Sequence, residues 1–80
     1  MPYNKSFIFA IDDGSLDTDL FLQTVRTRAR RLGIVCYNTE YLSAMNSYKI
    51  SFISNSQEDI LRFLSYIEMQ FSEIRVSACY

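Results

Sequence analysis

Residues 7–32 decide the fold: Phe7-Ile8-Phe9-Ala10-Ile11, then Asp12-Asp13-Gly14-Ser15-Leu16, then a run ending Arg30-Arg31-Leu32. Phe7 to Ile11 is apolar at every position, so both faces of this strand have apolar contacts to make, as a central strand of a sheet does. The Asp-Asp-Gly-Ser group ends it with turn chemistry. A helix should then begin near Ser15 to Asp17, where several side chains can cap it. Leu22, Val25, Ala29 and Leu32 recur at spacings of three and four and predict its buried stripe. Asp17 and Asp19 sit at the positive end of the helix dipole, and Arg26, Arg28, Arg30 and Arg31 crowd the negative end. Gly33 is the expected stop.

The rest of the chain follows from that unit. Ile34 to Thr39 is rich in β-branched and aromatic residues and predicts a second strand. Glu40 to Ser47 shows no periodicity and is expected as a hairpin loop with frayed strand ends. Tyr48 to Ile53 alternates, with Tyr48, Ile50 and Phe52 on one face and Lys49 and Ser51 on the other. Ser56 opens a capping-box-like start to a second helix. Its expected core stripe is Ile60, Leu64, Ile67 and Phe71, with Leu61 and Phe63 at the flanks and Glu58 paired with Arg62. Ile74, Val76, Ala78 and Tyr80 alternate with polar residues in a last strand. The order βαββαβ predicts an α+β, ferredoxin-like sandwich over residues 1–80: a four-stranded antiparallel sheet, ordered last-first-third-second, with two helices on one face.

That topology puts the second and last strands at opposite edges, about 14 Å apart at roughly 4.8 Å per step. A disulfide needs Cα atoms within about 7 Å, so Cys36 and Cys79 should not bridge.

Eighty residues at 49% hydrophobic content suffice for one domain with a modest core, and the net charge of −1 supplies no global field toward nucleic acid or anionic membrane. No apolar run approaches the roughly 20 residues of a membrane span, and the polar stretch after Met1 does not read as a secretory signal. A cytoplasmic location is expected. The chain has no histidine, which removes the usual general base. Neither cysteine sits in a CxxC or zinc spacing. Asp12, Asp13, Asp17 and Asp19 lack the spacing of a calcium loop, and caps and a solvated turn account for them. Tyr48, Ile50 and Phe52 sit at intervals reminiscent of base-stacking sheets, but the glycine and basic lead residue are absent and the simpler role is core. No enzyme activity, cofactor or metal site is expected.

From Ile8 to Val76 the pattern resembles an ACT-type regulatory domain, nearest in outline to the short regulatory subunits of acetohydroxyacid synthase. Asp12-Asp13-Gly14-Ser15-Leu16 is similar to a shortened, proline-free form of that family's turn after the first strand. Arg30-Arg31-Leu32-Gly33-Ile34-Val35 is similar to its approach to the second strand. The resemblance implies a non-catalytic domain that dimerises through strands and helices and tunes a partner enzyme. It places an effector site at Asp13, Gly14, Ser15 and Leu16 of one subunit, with Val35 of its neighbour opposite.

Independently of the resemblance, Tyr66 and Met69 fall off the second helix's core stripe, and Tyr37 and Tyr41 lie on or beside an edge strand. Aromatic and methionine side chains so placed are candidates for partner binding, as are Arg26 and Arg30 for an anionic group. The expected function is that of a small regulatory or adaptor protein, homodimeric, acting on a larger protein or enzyme complex. The alternatives are a stand-alone inhibitor of phage type that blocks a host complex, and a small-ligand or nucleic-acid module using the first helix's arginines.

Overall fold

The computed structural model describes residues 2–79, in the order β1 (Tyr3–Ile11), α1 (Thr18–Arg31), β2 (Val35–Leu42), a single 3-10 turn (Ser43–Met45), β3 (Ser47–Ser54), α2 (Gln57–Gln70) and β4 (Ile74–Ala78). The strands form one antiparallel sheet ordered β2-β3-β1-β4. With two helices completing the βαββαβ order, the molecule is a ferredoxin-like α+β sandwich, and β1 is central as its apolar run requires. Tyr80, expected to close the alternation of β4, lies outside the described residues.

The alternation of each strand divides the sheet into a covered and an open face. Phe7 and Phe9 of β1 and Ile50 and Phe52 of β3 are buried beneath the helices. The rings interlock: Phe21 of α1 packs edge-on against Phe9 at 5.7 Å and Phe71 at 5.3 Å, and Phe52 meets Phe63 of α2 at 5.1 Å. Each fully buried side chain of this size contributes about 1.5–3 kcal/mol by leaving water. The open face is mixed, with Asn4, Ser6, Lys49 and Ser51 beside Ile8, Ile53 and Val35. Ser6 and Ser51, aligned across β1 and β3, share a 2.7 Å hydrogen bond there. Tyr48 and Phe52 belong to the covered face, so they offer no platform for stacked bases.

Helix ends match their chemistry. Asp17 caps α1, its carboxylate accepting from the Leu20 amide at 3.1 Å, and Ser56 caps α2 by accepting from the Asp59 amide at 3.3 Å. Gly33 follows α1 with φ +71, a left-handed conformation that releases the chain into β2. The expected Glu58–Arg62 pair forms at 2.9 Å.

Four expectations need correction. First, the central strand starts at Tyr3 rather than Phe7, because β3 is long enough to pair with it down to Ser54. Second, residues 40–47 are not a loop: β2 continues to Leu42 and the reversal is confined to the 3-10 turn and Asn46. Asn46 takes φ 46, and its side chain accepts from the Tyr41 hydroxyl at 2.8 Å, so a side-chain contact closes a turn that has no glycine. Third, the stripe of α1 is Phe21, Val25 and Ala29, with Leu22 and Leu32 half-buried beside it, and Phe63 of α2 is fully buried rather than flanking. Fourth, Cys79 falls just past β4 rather than within it. Both cysteines are free thiols.

Candidate partner-binding surface

The turn after β1 is built from its own backbone needs. The Asp13 carboxylate accepts from the Ser15 amide at 2.9 Å, and this hydrogen bond, with a further one from the Ser15 hydroxyl, holds its pKa below the ordinary aspartate value. Asp12 is engaged by the Arg75 guanidinium at 3.0 Å, and Leu16 is buried in the core. Gly14 faces open space. Val35 begins β2, and its alignment through Ile53 with Asn4 puts it at the other end of the sheet from this turn. Within one chain, then, Asp13, Gly14, Ser15 and Leu16 are not brought together with Val35. At about 3.3 Å per residue along β1 the separation exceeds roughly 20 Å.

The other named residues fall on two surfaces. One is the outer edge of β2. Among the described residues β2 has a strand partner on one side only. Val35, Tyr37 and Tyr41 are exposed along it, Val35 at 56%. The ladder with β3 is interrupted by a bulge at Tyr37, whose hydroxyl donates to Asn4 Oδ1 at 2.8 Å. Since β3 lies between β2 and β1, this ring crosses the open face. Arg26 and Arg30 overhang the start of the same edge. They stand one turn apart on the flank of α1, about 100° around from the buried positions Val25 and Ala29. With Gly33, Ile34, Val35 and the half-buried Cys36 they line an open groove of about 400 Å³.

The arginines are not alike in their surroundings. Arg62 pairs with Glu58, Arg75 with Asp12, and the Arg28 guanidinium stacks 3.8 Å from the centre of the Tyr66 ring. Arg26 and Arg30 have no carboxylate partner among the described residues. A chain whose net charge is −1 thus carries a local positive strip beside its open strand edge.

The second surface is the outside of the helical layer. Tyr66, expected to be free of the core, is half-buried and packs against it beneath Arg28. Met69 is 86% exposed, and Leu61 and Leu20 join it as exposed apolar residues. Leu61, expected at the flank of the core stripe, is instead 54% exposed, and Leu20 is a surface residue that the periodicity of α1 does not single out. The spacing of four between Leu61, Ser65 and Met69 is the signal that marks this second stripe on α2.

Among the described residues no group of three or more Asp, Glu, His or Cys gathers as a metal site, and no helix is long and apolar enough to cross a membrane. No family model and no curated protein matches the sequence.

Proposed function

We propose that this protein is a non-catalytic regulatory or adaptor module that binds a larger protein through the outer edge of β2. The observation that carries this reading is the combination of an eight-residue strand edge without a strand partner among the described residues and exposed apolar or aromatic side chains at Val35, Tyr37 and Tyr41. A strand edge presents backbone donors and acceptors that an incoming chain satisfies. The opposite edge is less suited. β4 has only five residues, and its Arg75 is held by Asp12.

The apolar outer helix residues Leu20, Leu61 and Met69 leave a second surface, which we assign to self-association. A homodimer made there would keep both β2 edges available. The non-catalytic role is the one the ACT-like resemblance implies, and a cytoplasmic location suits it; the dimer differs from the resemblance's, in which Val35 faces the turn of the neighbouring subunit. The affinity of such a module comes from backbone pairing and side-chain complementarity, and no reaction is required of it.

The test is affinity capture from the native host followed by hydrogen exchange on the captured complex. New protection of the amides of Val35 to Leu42 is expected. Protection elsewhere with none on β2 would overturn the edge assignment, and a clean preparation without a stoichiometric partner would overturn the regulatory reading.

A further inference from the structure

From the charge beside the β2 edge we infer that the segment docking there is an extended chain with acidic side chains at alternate positions, whose carboxylates pair with Arg26 and Arg30. This rests on the reading that β2 is the partner surface and adds the chemistry of what binds it.

Three observations converge. A strand added to β2 would lie about 4.8 Å outside it, with its side chains alternating between the two faces of the sheet. Those on the covered side would emerge beneath the flank of α1 that carries Arg26 and Arg30, into the groove lined by Gly33 to Cys36. Alternate residues of a strand are about 6.7 Å apart, and four residues of helix rise about 6 Å. Two carboxylates at positions i and i+2 therefore match two guanidiniums at positions 26 and 30. Neither guanidinium has a carboxylate partner among the described residues, so binding breaks no internal ion pair.

The other side of the added strand meets different chemistry. Val35 aligns with Ile53, on the face opposite Phe52, and Tyr37 crosses that same open face. Apolar residues between the acidic ones would cover these side chains. The bulge at Tyr37 disfavours long, indiscriminate strand addition. Pairing with the arginines then decides which chain adds.

The experiment uses the full chain in a heteronuclear NMR titration with a capped octapeptide alternating glutamate and valine, and with its glutamine–valine counterpart. The glutamate peptide should shift the amides of β2 and weaken as salt is raised. The double variant Arg26→Gln, Arg30→Gln should lose about ten-fold or more in affinity. Both arginines are exposed, so the variant's spectrum away from the groove should stay unchanged. Equal binding of the glutamine peptide, or undiminished binding by the double variant, overturns the inference. So does a dilution series in which β2 amides shift without peptide, which would give the edge to a second copy. If hydrogen exchange places a captured partner on β2 while the two peptides bind alike, only the acidic chemistry fails; a partner protecting another surface removes the docking reading itself.

Discussion

Gly33 sits where α1 must give way to an edge strand, and its φ of +71 is a conformation that an L side chain enters only at a cost of about 1–2 kcal/mol. An added Cβ would meet nothing within 4 Å, so that cost is conformational and not steric. Gly33→Ala should therefore destabilise the fold by about 1 kcal/mol in chemical denaturation, with the denaturant slope unchanged. Because Gly33 also lines the arginine groove, the same variant is expected to disturb resonances of β2 before those of β4. Asn46 solves the same problem differently. It adopts φ 46 without glycine's freedom, and the Tyr41 hydroxyl on its side chain helps hold it there. The sequence marks Gly33 as a stop through its identity, whereas Asn46 is a residue type that tolerates the left-handed region but stands within a stretch expected as a longer loop, and the strand pairing up to Leu42 is what makes it the turn.

Each helix must choose which of its apolar residues to bury. Phe21 and Leu22 are neighbours, and the spacing to Val25 and Ala29 suits either; Phe21 continues a strict i, i+4 line, while Leu22 lies about 100° away. The sheet decides between them by placing Phe9 and Phe71 around the Phe21 ring. Phe21→Ala should cost about 3–5 kcal/mol and Leu22→Ala distinctly less, compared by thermal or denaturant unfolding. Reversed magnitudes would mean that α1 is rotated from the orientation described. On α2 the same choice buries Phe63 and exposes Leu61, a distinction that helical periodicity leaves open when apolar residues stand on both sides of the stripe. Strand β2 was legible as a strand but not in its length. Its exposed positions alternate weakly, and the pairing with β3 extends it to Leu42.

At the scale of the molecule, the distribution of charge and exposed apolar surface sets what it can bind. The positive strip beside β2 and the apolar outside of the helices lie on different parts of α1: Arg26 and Arg30 on one flank, Leu20 facing outward toward the groove it shares with Tyr66. The two surfaces can thus be perturbed separately. Changing Leu61 and Met69 together to serine should lower the solution mass from dimer toward monomer in light scattering, while the glutamate peptide still shifts β2. A wild-type chain that remains a monomer at high concentration would remove self-association and leave the edge reading intact. Exposed single apolar residues are common on soluble proteins, so this measurement carries the assignment.

The sequence by itself determined the order of elements, the central place of β1, the start of α1 within Ser15 to Asp17, the cap at Ser56, the stop at Gly33 and the separation of the cysteines. All of these depend on local propensity, periodicity or chain order, which neighbouring residues encode. It also marked Tyr37, Tyr41, Met69, Arg26 and Arg30 as residues the core does not need. Only the tertiary structure decided that Phe21 and Phe63 are core, that Leu16 is withdrawn from the turn, that Tyr66 lies half-buried under Arg28, and that Arg26 and Arg30 overhang the β2 edge without a carboxylate. These facts depend on which side chains meet from distant parts of the chain. These contacts are settled between elements, so no window of local sequence contains both partners, whereas the Glu58–Arg62 pair lies within one helix and was legible.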